Sequence, residues 1–298
     1  MVPEGADCVI MVEYVEEVSA NSIRYLREST KENICWKAED LLRGDTVLAK
    51  GALISPRHIA VLATVGRVSP RVAKRPRVGV ISTGSELVEP SEKATGANIR
   101  NSNGWQLAAQ VEQMGCRAKN YGISEDTEEA LNAAVSQAIA ENDVLLLSGG
   151  VSMGDYDLVP GILRKNDIEL LFTKVAIKPG RPSTFGVGET ARCFALPGNP
   201  VSTFIQFEML VKPALFKMMG HDYRPTVIKA KVQRDIRQKQ ADRLSIIPVK
   251  LIAADEVEPV DYHGSAHINA MCGTDGFVIF PSMETVISKG SVTDVRLL

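Results

Sequence analysis

The middle of the chain alternates short apolar runs with longer segments of helical periodicity. Val144–Leu147 is an uninterrupted apolar run, which is typical of a parallel strand buried on both faces. Residues 105–114 place apolar side chains at intervals of three and four, which predicts an amphipathic helix. Strands and helices that alternate in this way predict an α/β domain whose parallel sheet is covered on both faces.

Two helix starts in this region carry capping signals. Asp126 and Glu129 have the spacing of a capping box, which predicts a helix from Asp126 to about Glu141. Pro200 stands at the first position of a long apolar-faced helix that ends near Gly220. The unpaired N–H groups at the start of such a helix favour a phosphate ligand.

The segments before and after the α/β region have different hydrophobic patterns. Residues before 45 suggest short strands and turns, and Ser55-Pro56 begins a helix. After Pro225 the runs alternate or are rich in β-branched residues, which predicts a small all-β domain. We therefore divide the chain into a partial N-terminal β domain (1–44), a helix-containing linker domain (45–75), the α/β domain (76–222) and a C-terminal β-barrel domain (223–298).

Composition narrows the class of protein. The 298 residues carry 34 basic and 36 acidic side chains, without the basic surplus of a nucleic-acid-binding protein. The five cysteines lie far apart and predict reduced thiols. No signal peptide and no membrane-length apolar run is apparent. We therefore expect a cytoplasmic protein with neither a nucleic-acid nor a membrane partner.

Three polar, glycine-rich loops follow predicted strands. In an open parallel sheet, ligands bind beyond the carboxyl ends of the strands, and consecutive N–H groups of such loops bind anions. Each loop alone could be a tight turn without a ligand, but three together favour a site for an anionic, phosphorylated ligand. The candidate ligand-binding residues of these loops are Thr83, Gly84, Ser85, Ser148, Gly149, Gly150, Ser152, Pro197, Gly198, Asn199 and Pro200.

Charged residues adjoin these loops. Lys174 and Lys178 would share one side of a strand, and with Arg181 they suit a phosphate or another oxyanion. A solvated strand face is the alternative reading. Glu86, Asp143 and Asp155 are candidates to hold Mg²⁺, which takes one or two carboxylates together with phosphate and water. For any single acid the alternative is a helix cap or a surface charge.

Five motifs in order resemble one family. The chain is similar to the molybdopterin molybdenumtransferases, the MoeA and gephyrin E-domain family, from its first residues to near its end. The motifs that carry the resemblance are TGSELVEP, IRNSN, SGGVSMGDYD, KVAIKPGRPSTFG and LPGNPVS.

The resemblance implies a Rossmann-like, molybdopterin-binding middle domain and an enzyme that inserts molybdate into adenylylated molybdopterin. The resemblance further implies AMP as the other product and a requirement for Mg²⁺ or a similar divalent ion. It also implies a homodimer whose active site is shared with the partner's N-terminal β domain, and contact with the molybdopterin adenylyltransferase. The positions tied to activity or cofactor binding by this resemblance are Glu86, Asp143, Lys174, Lys178, Pro197, Pro200, Asp40, Ser265 and Asn101, the last of which is Asp in some relatives.

Alternatives remain open at this point. Compared with the family pattern, the chain starts inside the N-terminal β domain, so a non-catalytic module that binds molybdopterin or its nucleotide, or a scaffold, is the second hypothesis. Adenylylation of molybdopterin is the third, and the flanking β domains speak against it. The sequence does not distinguish molybdenum from tungsten.

Overall fold

The computed structural model of the protein describes residues 2–150, 158–238, 243–261, 264–280 and 284–298. It contains two compact units, Met1–Val68 and Ser69–Leu298. Each unit is described on its own.

The first unit has little regular structure and little core. Its elements are a 3₁₀ turn (Val12–Tyr14), the antiparallel strands β1 (Val15–Ser19) and β2 (Ser22–Tyr25), and the helix α1 (Pro56–Thr64). Ser55 caps α1 in a capping box with His58, as the Ser-Pro signal predicts. Within residues 2–68, Leu62 is the one apolar side chain that is buried. A two-stranded ribbon with so small a core is at best marginally stable alone.

The second unit begins with an α/β part. Its elements, in chain order, are β3 (Arg77–Thr83), β4 (Leu87–Val88), β5 (Ile99–Arg100), α2 (Ser102–Gln113), β6 (Arg117–Ser124), α3 (Glu128–Glu141), β7 (Val144–Ser148), α4 (Leu158–Lys165), β8 (Glu169–Phe172), β9 (Ile177–Lys178), β10 (Thr184–Val187), β11 (Arg192–Leu196), α5 (Pro200–Gln206), a π-helical turn (Phe207–Val211) and α6 (Lys212–Met218).

The predicted α/β class is confirmed. The central sheet has the order β6-β3-β7-β11-β10-β8, in which the first four strands are parallel and β10 and β8 are antiparallel additions at one edge. Helix α2 and the helical stretch after β11 pack on one face, and α3 and α4 pack on the other. From β3 the chain continues to β6, the neighbour of β3 in one direction along the sheet. It then continues to β7, the neighbour of β3 in the opposite direction. The carboxyl ends of β3 and β7 therefore form the topological switch point, where ligands of such sheets bind.

The predicted start of α3 is wrong by one residue. Thr127, not Asp126, is the N-cap, and its hydroxyl accepts the Ala130 N–H at 3.4 Å. Both residue types cap helices well, so the local pattern cannot decide between them. As a consequence, Asp126 lies in the loop before the helix, and its carboxylate is free for other contacts.

The predicted helix from Pro200 to about Gly220 is interrupted by the π turn. The N–H of Lys212 bonds to the carbonyl of Phe207, five residues back. In the same geometry the Glu208 carbonyl faces Pro213, which has no N–H to donate. Nη2 of Arg296 donates to this carbonyl at 2.7 Å instead.

Like every other helix in the described residues, this stretch is not long and apolar enough to cross a membrane.

The C-terminal part is the predicted barrel. Its strands are β12 (Val227–Val232), β13 (Ile236–Arg237), β14 (Leu244–Ala253), β15 (Glu256–Pro259), β16 (Gly276–Phe280), β17 (Val286–Ile287) and β18 (Val292–Leu297), with a 3₁₀ helix at Ile268–Gly273. Strands β12, β18, β16, β14 and β15 close on one another. The short strand β9 of the α/β part adds to this barrel, parallel to β14.

We expect the central strand β7 to dominate stability. Leu146 is fully buried in it, so Leu146→Ala should lower the free energy of unfolding by about 2–5 kcal/mol, through lost burial and the cavity left behind. Leu171→Ala in β8 is the matched control, because that side chain is 55% exposed, and it should cost less than about 1 kcal/mol. Urea unfolding measures both, and equal losses would contradict the assignment of the core.

Candidate active site

A cleft lies at the carboxyl ends of the parallel strands. The register of the sheet places Ser82 beside Ser148, and Ser148 beside Leu196, so β3, β7 and β11 end at one level. The loops that follow them, together with the start of α2 and the 266–268 segment, enclose a volume of about 750 Å³. This is the size of a small-molecule site.

Backbone contact holds the glycine loops together. Gly149 donates its N–H to the carbonyl of Leu196 at 3.2 Å, and its φ is +95°. A Cβ at this position would lie far inside contact distance of the Thr83 carbonyl oxygen. Only glycine combines that backbone conformation with so close an approach. The three loops are therefore fixed to one another by main-chain atoms.

Asn101 has a structural role at the edge of this cleft. Its Oδ1 accepts the Gly104 N–H at 3.0 Å and the Ser82 hydroxyl at 2.8 Å, and the residue is 1% exposed. It is thus the N-cap of α2, a position that asparagine and aspartate fill equally well. This accounts physically for either residue at the position.

Asn103 connects three of the walls, and sequence reasoning missed it. From the first turn of α2 its Nδ2 donates to Ser148 Oγ at 2.8 Å and to the Gly198 carbonyl at 2.7 Å. Its Oδ1 is buried without a hydrogen-bond partner among the described residues, so it can accept from a ligand. A second polar residue directly after the predicted cap, in the motif Asn-Ser-Asn, is the signal that could have found it.

Among the described residues, two carboxylates line the cleft, Glu86 and Asp126. Glu86 folds back over its own loop, close to the Cα of Gly84. Thr83 Oγ1 donates to Asp126 Oδ1 at 3.2 Å. Asp126 was missed because it was assigned to a helix cap. Its position just beyond a parallel strand is the same signal that identified the glycine loops.

Asp143, expected from the sequence to act in catalysis and metal binding, does not line this cleft. It precedes β7, so it lies at the amino ends of the strands, opposite the cleft. Its carboxylate accepts from Arg77 N, Nε and Nη2 at 2.8, 3.3 and 3.1 Å. These bonds to Arg77 hold the pKa of Asp143 below its usual range. Asp143 is a structural ion-pair residue.

The remaining predicted residues are placed as follows. Lys174, Lys178, Arg181 and Ser85 are not among the described residues that line the cleft, although Pro182 is. Lys178 belongs to β9 and pairs with Ser245 of the barrel. The carbonyl of Ser265 accepts the Val201 N–H at 2.9 Å. Asp40 is exposed in the first unit, and Ser152 and Asp155 lie outside the described residues.

The cation that lines the cleft is one the sequence analysis did not select. Among the described residues Arg100, on β5, is the only Lys or Arg in its wall. The described part of the chain contains no group of three His, Cys, Asp or Glu side chains arranged to hold a metal ion. Any metal here would depend on ligand oxygens as well as on Glu86 and Asp126.

A glycine-loop cleft at the switch point of an α/β sheet, beside a closed barrel, is typical of proteins that bind small anionic ligands. Known families agree with this class. The family described as a probable molybdopterin binding domain matches residues 79–217. The MoeA N-terminal region (domains I and II) matches residues 1–66, and the MoeA C-terminal region (domain IV) matches residues 229–298.

Relatives cover almost the whole chain. A molybdopterin molybdenumtransferase of Staphylococcus epidermidis is 35% identical over 99% of this chain and 71% of its own length. One from Staphylococcus aureus is 34% identical over the same shares. The crystal structure of a molybdopterin biosynthesis MoeA protein from Pyrococcus horikoshii superposes with a TM-score of 0.82, at 31% identity, over 99% of this chain and 73% of that one. The chain belongs to the molybdopterin molybdenumtransferase family, as its motifs predict.

The role of Gly149 can be tested against a second glycine of similar backbone conformation. Gly290 has φ +89° and open space where a Cβ would lie. Gly290→Ala should therefore cost only the left-handed backbone strain, about 1–2 kcal/mol. Gly149→Ala should cost clearly more, and should also weaken AMP binding, because Thr83 must move. Thermal unfolding and calorimetric titration with AMP measure this, and equal effects of the two variants would contradict the close approach.

Proposed function

We propose that the protein inserts molybdate into adenylylated molybdopterin and releases AMP. The observation that carries the proposal is the pair of carboxylates, Glu86 and Asp126, in the same cleft as the three glycine loops. The family supplies the substrate class, since its curated members are named molybdopterin molybdenumtransferases. The chain is a transferase of this family, and the release of AMP and the requirement for Mg²⁺ belong to the proposal.

The cleft suits a ligand that carries a phosphoanhydride. Gly84, Gly150 and Gly198 present main chain rather than side chains, so phosphate oxygens can approach closely. The unpartnered Oδ1 of Asn103 offers an acceptor for an N–H or O–H of the same ligand. Donors and an acceptor at separate points of one cleft would fix the orientation of a molecule with both phosphate and heterocyclic groups.

The carboxylates fit a divalent ion held partly by the substrate. Mg²⁺ in proteins takes one or two carboxylates and completes its shell with phosphate oxygens and water. Glu86 and Asp126 supply that number. When bound, the ion would offset the negative charge of the phosphoanhydride and of the leaving AMP. Lys174, Lys178, Ser265 and Asp40 are also proposed to contribute by family resemblance, and Ser152 and Asp155 by their place in the glycine-rich loop.

Acidic residues at the two opposite ends of the parallel strands give a matched test. Asp126→Asn and Glu86→Gln should each lower the rate of AMP release by on the order of 100-fold or more, because each removes a charge beside the reacting phosphates. Asp143→Asn is the same chemical change at the amino ends of the strands, and it should leave the rate of AMP release within a fewfold of the parent. The assay is release of AMP from adenylylated molybdopterin with molybdate and Mg²⁺.

The result also separates the competing functions. If the folded protein binds AMP but neither releases it from the substrate nor incorporates molybdenum, the chain is a binding module. If Asp143→Asn abolishes release while Asp126→Asn does not, the location of the site is wrong. Circular dichroism of each variant serves as the folding control.

We further propose a homodimer. Large apolar side chains of the first unit are exposed, including Val12 at 78% and Ile23 at 61%, and one apolar side chain of residues 2–68 is buried. Apolar surface of this extent is typical of a protein–protein interface. Light scattering on the purified protein should give twice the chain mass of 32.3 kDa. A stable monomer at micromolar concentration would contradict the proposal.

Contact with the molybdopterin adenylyltransferase is proposed on the resemblance alone.

A further inference from the structure

We infer that Arg100 binds the phosphate groups of the ligand in the cleft, as a binding residue of the proposed site. The inference rests on the proposed function for the identity of the ligand, an adenylylated compound, but its evidence is the placement of one side chain. The sequence motifs point instead to Lys174, Lys178 and Arg181, none of which lines the cleft among the described residues.

The backbone around Arg100 is fixed on both sides. Strands β4 and β5 pair in parallel, with Arg100 opposite Val88. Ile99 donates its N–H to the Glu86 carbonyl at 2.8 Å, and Asn101 donates to the Val88 carbonyl at 2.8 Å. Asn101 is then locked as the buried cap of α2. Arg100 therefore projects from a short rigid segment, and ordering that backbone adds no cost on binding.

The guanidinium is not committed to another group. Arg100 is exposed, and no hydrogen bond or ion pair of its side chain occurs among the described residues. Other arginines of the same unit are used in the fold: Arg77 pairs with Asp143, and Arg296 donates to the Glu208 carbonyl. A planar guanidinium with free N–H groups recognises phosphate through two parallel hydrogen bonds.

The charges of the cleft require a cation at this point. Glu86 and Asp126 carry two negative charges into the same space that the anionic ligand would enter. The N–H of the neighbouring Ile99 bonds to the Glu86 carbonyl, so Arg100 and Glu86 belong to one hydrogen-bonded wall of the cleft. Arg100 would hold a phosphate while the acids hold a divalent ion.

The test measures binding separately from transfer. AMP is titrated calorimetrically into the full chain and into Arg100→Gln, Arg100→Lys and Arg117→Gln. Arg117 is an exposed arginine at the amino end of β6, so its variant is the matched control. We expect Arg100→Gln to weaken AMP binding about tenfold, Arg100→Lys to weaken it less, and Arg117→Gln to leave it unchanged.

Two further readouts distinguish contact with the ligand from a structural role. Arg100→Gln should raise KM for adenylylated molybdopterin about tenfold with kcat within about threefold, and should flatten the dependence of AMP affinity on salt. Its thermal unfolding should match the parent. AMP affinity within twofold of the parent, or no AMP binding by the parent, overturns the inference.

Failure of the proposed function would be recognisable on its own. If the parent binds AMP in an Arg100-dependent way but releases none from the substrate, the transfer proposal fails and the role of Arg100 stands. If the parent catalyses release and Arg100→Gln behaves identically, only the role of Arg100 fails.

Discussion

The site depends on one constraint, the common level at which three parallel strands end. Strands β3, β7 and β11 are in register at Ser82, Ser148 and Leu196. Main-chain contacts of Gly149 then hold their loops together. A hydrogen bond to the Leu196 carbonyl and close approach to the Thr83 carbonyl leave that glycine no freedom to shift. Because main-chain contacts fix the loops, their glycines can present main chain to a ligand without loss of the loop geometry.

Much of this could be predicted, because the signals are local. The buried run at Val144–Leu147, the glycine loops and the helix start at Pro200 depend on neighbouring residues only. The sequence analysis missed Asp126 as a residue of the cleft and expected Asp143 there instead, for two different reasons. The cap shift at Thr127 is too small for pattern reasoning to resolve, whereas Asp143 precedes its strand, and the direction of a parallel strand alone assigns it to the other edge.

What could not be predicted depends on contacts between distant parts of the chain. Lys178 pairs with a barrel strand that lies far along the sequence, so its surroundings are not encoded in its own motif. The π turn follows from Pro213, but the partner of the orphaned Glu208 carbonyl is Arg296, near the end of the chain. The buried Glu208 side chain also bonds to Lys212 and Gln110, which links the helix after β11 to α2.

These distant contacts connect the barrel to the cleft. Val201 and Ile205, at the start of the helix after Pro200, pack against Ile246 and Phe277 of the barrel. The Val201 N–H bonds to the Ser265 carbonyl, and the 266–268 segment then forms part of the cleft wall. The barrel thus fixes the same helix at its start and, through Arg296, at its π turn.

The charges of the cleft distinguish a catalytic site from a simple anion-binding site. A site that only held an anion would gain from donors and cations, and acids in its wall would weaken it. Glu86 and Asp126 face the same space as Arg100, so the cleft is built for a cation and an anion together. A divalent ion between these acids and a phosphorylated ligand would offset their Coulomb repulsion. On the proposed function, affinity for the anion would therefore depend on the metal, a dependence that a scaffold would not need.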